Sequence, residues 1–504
     1  MPASLLCRSG GKLRLAVALT AGVSVGGCDF GWDKPSFQTP DPPKFRAAAE
    51  KAAEPVSERW ADTFGSKELS ALVDRALSDN LDIAAAIARI DQADAQAKVS
   101  SAPLFPLATF NGSSQRARTP GTAASMLPPK QDDGTYNFTG SYRSLNSLGL
   151  TASYEIDFWG KNRSASGAAR LLAEASRYDR SVVQLATVAS LVNSYLAVLG
   201  AQDRLRIARD NVRIASEVLQ AIKARVAVGT ASELDLAQQE SVLATQRANI
   251  PTLEQTVQQT RNLIAVLVGQ TPESFDIRGG SLGALRAPRV QPGLPSQLLL
   301  RRPDVAEAEA KVASADLSVA QARAAMFPSI SLTGSYGVEA QLLKFLFRPE
   351  AVAWSYAGQL ARPILDGRNL QGQLDLQRGK YAELLHDYHK QILTAFSDVE
   401  NALVAVQKNA ERERLQRAAA AASRRAYNAS IQRMREGTID IVTLSTTQTT
   451  LFQNLDLVSQ TQLARFQALV SLYQALGGGW SQPNKDIARL QEGEAFSDPK
   501  GLIP

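Results

Sequence analysis

Two hydrophobic periods alternate along this chain. A period of two runs through Ile330, Leu332, Gly334, Tyr336 and Val338, with Ser331, Thr333 and Ser335 between them. This is the pattern of a strand with one apolar face. It recurs in Leu148, Leu150, Ala152, Tyr154, Ile156 and Phe158, and again in Trp354, Tyr356, Gly358 and Leu360. Strands are expected at about 104–118, 137–158, 327–338 and 352–363, paired across loops near 117–136 and 339–351. The second period steps by four and three through positions 171, 175, 178, 182, 185, 189, 192, 196 and 199, the seam of a coiled coil. No Pro interrupts Arg163–Ala227, so a helix is expected over about 163–228, roughly 100 Å long at ~1.5 Å per residue. A second is expected over about 368–436. Gly229 and Gly437 suit left-handed caps, with return helices following at 232–267 and 440–475.

The second half of the chain repeats the first. Leu81 to Pro106 aligns without gaps on Pro303 to Pro328, an offset of 222 residues. Each segment is an Ala-rich helix, 81–101 or 304–325, ending at a Pro-containing break (Pro103 and Pro106; Pro328). Further on the offset is 208, placing Arg225, Gly229 and Thr230 on Arg433, Gly437 and Thr438, and Gly269 on Gly477. The repeats are assigned to 59–280 and 281–480, with 481–504 as a C-terminal tail. Helices this long must lie along others of their kind, because they cannot fold back into a compact core.

The N-terminus changes where such a molecule would sit. Arg8, Lys12 and Arg14 precede an apolar run from Leu15 to Val25, which ends in Gly26-Gly27-Cys28. A basic start, a short apolar core and small residues before a cleavage point describe a secretory signal, assigned here to 1–27. Cys28 after two small residues resembles the lipidation site of bacterial lipoproteins. An extended Pro-rich leader occupies 28–58. The chain has 2 cysteines, and Cys7 lies within the signal, so no disulfide is expected in the mature protein. After Val25 there is no run of 18 apolar residues. A transmembrane helix is therefore not expected, and any crossing must use strands. Four strands cannot close a barrel in lipid, so a chain that crosses this way must oligomerise.

The 504 residues are 21% charged and 6% aromatic, with a net charge of +6. Arg8, Lys12 and Arg14 carry half of that, and the remainder is too dispersed to indicate nucleic acid. The only 2 histidines, His386 and His389, read as solvated helix positions, as does the run Glu411-Arg412-Glu413-Arg414. Gly477-Gly478-Gly479 ends a helix instead of opening one, unlike a phosphate loop. No catalytic constellation stands out, and an enzyme is not expected. A lipid-anchored coiled-coil scaffold is the main rival, but the alternating strands and the tandem repeat argue against it.

Several stretches carry a family resemblance from Trp60 to Trp480. They are Gly293-Leu294-Pro295-Ser296, then Arg301-Arg302-Pro303-Asp304-Val305, Tyr154-Glu155-Ile156-Asp157-Phe158-Trp159-Gly160, Pro363-Ile364-Leu365-Asp366-Gly367, and Tyr473 to Trp480. In order and spacing they resemble the outer membrane factors, the TolC-like ducts, and most of all their lipoprotein branch. The resemblance implies a mainly α fold with a membrane β contribution. Three chains would pool their strands into a 12-stranded barrel above a periplasmic helical cylinder. It further implies a passive duct, closed at its periplasmic tip until an adaptor and an inner-membrane pump of the resistance-nodulation-division type dock. No cofactor is implied beyond the lipid on Cys28. The tip would lie at Gly229, Thr230, Ser232 and Leu234 of the first repeat and Gly437 and Thr438 of the second. Asp235 and Asp440 are candidate gate carboxylates, or else helix caps. Two departures stand out. The family's Leu-Asp-Ala-Gln-Arg is here Ser445-Thr446-Thr447-Gln448-Thr449, keeping only Gln448. Asp29 after Cys28 is a pairing that in enteric bacteria retains lipoproteins in the inner membrane; the strands and fold outweigh it.

Overall fold

The computed structural model describes residues 56–120, 122, 130, 140–288 and 298–480. The signal segment, Cys28, the leader up to residue 55, most of the first strand loop, Gly293–Ser296 and the tail lie outside the described residues.

Each repeat is a helix, a β-hairpin, a very long helix and a return helix. In the first these are α2 (Leu81–Ser101), β1 (Leu107–Thr119), β2 (Ser141–Ile156), α3 (Lys161–Ala227) and α4 (Glu233–Leu267). In the second they are α5 (Pro303–Ala324), β3 (Ser329–Ala340), β4 (Val352–Ala361), α6 (Asn369–Arg435) and α7 (Ile441–Ala475). The long helices are 67 residues each and the return helices 35 each, so each long helix runs roughly 100 Å. A further helix, α1 (Lys67–Asp79), stands ahead of α2 within the first repeat and is not anticipated by the periodicities above.

Prolines set several strand boundaries. The first strand begins at Leu107 instead of 104, because Ala102–Leu104 forms a 3-10 turn and Pro106 has no amide for the ladder. The third begins at Ser329, just after Pro328, and runs on to Ala340. The fourth stops at Ala361, two residues short of Pro363. The corners that follow β2 and β4 are built alike. Asp157 accepts the amides of Asn162 (3.0 Å) and Arg163 (2.8 Å), and Asp366 accepts those of Arg368 and Leu370 (both 3.0 Å). Each carboxylate caps the start of a long helix, where the helix dipole favours it.

The coiled-coil seam of α3 is buried where it meets its neighbours. Val192, Leu196 and Leu199 lie in a core with Trp60, Phe64, Leu69, Ile264, Ile277, Leu282, Phe466 and Tyr473. Trp60 stacks on Tyr473 with ring centroids 4.9 Å apart, which ties the segment ahead of α1 to α7. This stretch of α3 is long and apolar enough to cross a membrane, which the absence of an unbroken apolar run concealed. More than half of it is buried inside the protein, so it serves as the core of the helical body. A second core sits where α5, α6 and α7 meet. There the buried Arg302 guanidinium bonds Asp304 (2.6 and 3.0 Å), Asp398 (3.1 Å) and the Ala475 carbonyl (3.2 Å). Burial opposes ionisation of the Asp304 carboxyl, but the bonds and charge of Arg302 outweigh it and hold the group below its usual value.

Candidate functional site

Two regions at opposite ends of the long helices carry features that packing within one chain leaves unexplained. The first is the sheet. Its order is β1-β2-β3-β4, all antiparallel, so β1 and β4 are open edges. The register sorts the side chains onto two faces. Leu148, Leu150, Ala152, Tyr154 and Ile156 share a face with Val338, Tyr336, Gly334, Leu332 and Ile330, and these with Val352, Trp354, Tyr356, Gly358 and Leu360. The other face carries Thr109, Asn111, Ser113, Ser147, Thr151, Ser331, Thr333, Ser335, Ser355 and Gln359. Serine pairs bridge neighbouring strands there, Ser113 with Ser147 at 2.9 Å and Ser335 with Ser355 at 2.8 Å. On the apolar face nothing among the described residues covers most of Tyr356 (82% exposed) or Leu360 (70%). From Leu148 to Ile156 that face runs roughly 26 Å along the strand at ~3.3 Å per residue, or about 20 Å in height at the tilt of a membrane barrel, which spans most of its apolar band of about 25 Å. Water on one face and lipid on the other satisfies such a sheet, provided other strands close its edges.

The strands approach most closely at Gly149 and Gly337, which face each other across β2 and β3. A Cβ at Gly337 would lie 2.5 Å from the Leu148 carbonyl oxygen and 2.7 Å from the Gly149 Cα. Both glycines belong to the polar face, and a glycine in a strand interior marks such a close backbone approach.

The second region is the pair of turns at the far end of the helices. Gly229 (φ +75°) and Gly437 (φ +74°) occupy left-handed positions. The Gly229 amide bonds the Val226 carbonyl and the Thr230 amide that of Arg225; in the second repeat Gly437 bonds Met434 and Thr438 bonds Arg433 (2.9–3.2 Å). Both turns are thus Schellman motifs. Ser232 and Asp235 form a capping box at the start of α4, and Asp440 caps α7 by accepting the Thr443 amide at 2.8 Å. The Thr443 side chain and amide hold the Asp440 carboxyl below its usual value. Both candidate gate carboxylates are therefore engaged as helix caps. Thr230, Leu234 and Thr438 are exposed.

Just behind the turns, α3 and α6 enclose a cavity of about 400 Å³ lined by Val218, Ile222, Arg225, Tyr427, Ile431 and Met434 among others. Burial pushes the Tyr427 hydroxyl up to about 12, with the Glu217 charge adding to it. Gln448, the residue kept from the family's pentapeptide, is fully buried and accepts from Gln239 at 3.2 Å, while Gln239 also donates to the Ala215 carbonyl. It joins α7, α4 and α3. Thr446, beside it in the same stretch, donates to its own helix at Val442 (2.8 Å). The shallow groove there is lined by Gln238, Ser241, Val242, Val442, Ser445 and Thr446 with other threonines, all uncharged.

The comparisons with known proteins agree with this layout. The family model described as outer membrane efflux protein matches residues 72–270 and 294–478. The pyoverdine export outer membrane protein OpmQ of Pseudomonas aeruginosa is 36% identical over 448 residues, covering 88% of this chain and 92% of OpmQ. The cation efflux system protein CusC of Escherichia coli is 27% identical over 426 residues, covering 84% of this chain and 88% of CusC. Among solved structures, the outer-membrane channel OprN superposes with a TM-score of 0.80 at 28% identity, covering 89% of this chain and 99% of OprN.

Proposed function

The chain belongs to the outer membrane efflux protein family and is an outer-membrane channel of an efflux or export system; from that premise we propose how it is anchored, closed and engaged. The channel is a trimer, its twelve strands forming one barrel and its long helices one cylinder. The open edges of β1 and β4 support that closure. Lipid on Cys28 fastens each chain to the outer membrane, a reading supported by the small residues before it. The channel is passive. The transported molecule is set by what the pump delivers, since relatives of this architecture carry names as different as pyoverdine export and cation efflux.

The adaptor of an inner-membrane pump docks on the Schellman turns, at Gly229, Thr230, Ser232 and Leu234 and at Gly437 and Thr438. The observation behind this is the pairing of two congruent, exposed turns at the end furthest from the sheet. Asp235 and Asp440 hold the tip in register through their caps and leave six carboxylates around the axis. A photo-crosslinking side chain at Thr230 or Leu234, in cells expressing the whole system, tests the docking. Covalent capture of the periplasmic adaptor is expected, and capture of the channel's own chains alone would refute it. Labelled palmitate should enter the native chain but not a Cys28→Ala variant; equal labelling of both would remove the anchor.

A further inference from the structure

The elements of the two repeats correspond residue by residue along the sequence, and this makes the contacts inside one chain a template for those between chains. The register of β1 on β2 and of β3 on β4 maps one hairpin onto the other with the same offsets that map the helices. Yet the two long helices are unequally covered. α3 lies along α2, α4, α5 and α7, whereas α6 lies along α5 and α7 alone in any extended contact among the described residues. Several of its uncovered positions are apolar. Leu376 is 55% exposed and Val404 47%, although their counterparts on α3, Ala168 and Leu196, are buried. The helices absent from α6 are the counterparts of those that cover α3 from the other repeat, namely α2 and α4. In a ring of copies only a neighbour can supply them.

At the tip this template reaches individual atoms. Arg225, on the last turn of α3, donates to the Met434 carbonyl at 3.0 Å and approaches its sulfur at 3.6 Å. The counterpart of Arg225 is Arg433, and that of Met434 is Val226. Arg433 is exposed and its guanidinium makes no hydrogen bond or ion pair among the described residues. We propose that Arg433 donates to the Val226 carbonyl of the next copy, so that six arginine-to-carbonyl contacts lace the closed tip, three within chains and three between them. Each places a cation on the carbonyl end of a helix, where charge and dipole reinforce the bond. Widening a ring of six helix ends separates every neighbouring pair, so each contact opposes opening.

The inference rests on the trimeric channel reading, and the test separates the two. Full-length channels carrying Arg225→Ala, Arg433→Ala or Arg433→Lys are recorded in planar bilayers, with the mass of each sample measured in parallel. Arg433→Ala should raise the open fraction by at least about 100-fold, as the loss of three charge-assisted bonds per trimer predicts; Arg225→Ala should do the same and Arg433→Lys less. A Val226→Cys, Arg433→Cys double variant treated with a short bifunctional maleimide should give covalently linked trimers, and either single variant should not. If Arg225→Ala opens the channel and Arg433→Ala leaves it at the native level, or if the double variant links no copies, the contact is refuted while the channel stands. A native sample that is monomeric and silent would instead sink the channel reading.

Discussion

Removing the Arg302 guanidinium should loosen the junction of three helices at once. It forks onto Asp304 at the start of α5, reaches Asp398 on α6 and satisfies the Ala475 carbonyl at the end of α7. The Arg302 side chain is 9% exposed, Asp304 22% and Asp398 43%. Breaking one side of a buried pair costs roughly 3–5 kcal/mol, because the partner stays behind uncompensated. Asp398 can re-solvate but Asp304 largely cannot, which favours the lower end, about 3 kcal/mol. A membrane trimer unfolds irreversibly, so the useful observable is a rate. If the cluster breaks before the unfolding barrier, ~3 kcal/mol accelerates unfolding on the order of 100-fold. The assay follows helix loss by far-ultraviolet circular dichroism at constant temperature for the native protein, Arg302→Ala and Arg302→Lys. Lysine keeps the charge without the fork and should fall between the others. The pH dependence has a definite sign. The Asp304 carboxyl is held below its ordinary value, so its contribution is full above the unfolded value, about 4, and fades as pH falls through the folded one. The native protein's advantage over Arg302→Ala should therefore be level near neutrality and shrink below about pH 4. An Arg302→Ala protein unfolding within about threefold of the native rate near neutral pH would refute the reasoning.

Three further outcomes follow from the geometry. Gly337→Val drives a side chain into the Leu148 carbonyl and should abolish outer-membrane trimers, whereas Gly334→Ala, whose Cβ finds its nearest neighbour at 3.8 Å, should assemble normally; gel analysis of membrane fractions reads both. If β4 pairs with β1 of the next copy as β2 pairs with β3, Ala357 stands opposite Gln115, by analogy with Gly149 opposite Gly337. Ala357→Cys with Gln115→Cys should then give disulfide-linked trimers, and Ala357→Cys with Ala117→Cys, two residues out of register, should not. Nothing lies within 4 Å of a Cβ at Gly229 or Gly437, so Val there costs only the left-handed strain, about 1–2 kcal/mol; trimers should form while adaptor capture and export weaken, and unchanged export in both variants would count against the tip.

The features legible in the sequence were those that follow from local periodicity. The seam through Val192, Leu196 and Leu199, the alternation through Leu148 to Ile156 and the glycine stops at 229 and 437 each lie within one element, and the tandem repeat identified each twice. Features that depend on distant partners were not legible. Arg302 stood in a distinctive stretch, but Asp398 and Ala475 lie 96 and 173 residues away from it, so its role as a clamp needed the fold. The same holds for the facing glycines 149 and 337, which no local pattern pairs. α1 escaped because its buried stripe, Leu69, Leu72 and Ala76, is too short to compete with the long seams. At the tip, Asp235 and Asp440 read equally well as gate or cap from sequence, and their backbone partners place both in caps. From sequence Arg225 reads only as a repeat position, since the carbonyl it reaches belongs to the other half of the chain.

The central claim is that this chain forms a closed trimeric duct, and conductance tests it most directly. The detergent-purified, lipidated protein would be recorded in a planar bilayer with its oligomeric mass determined on the same sample. A trimer with a small, mostly closed conductance is the result expected. A monomer with no conductance would contradict the account, leaving the long helices as a scaffold and any lipid anchor as the only membrane contact.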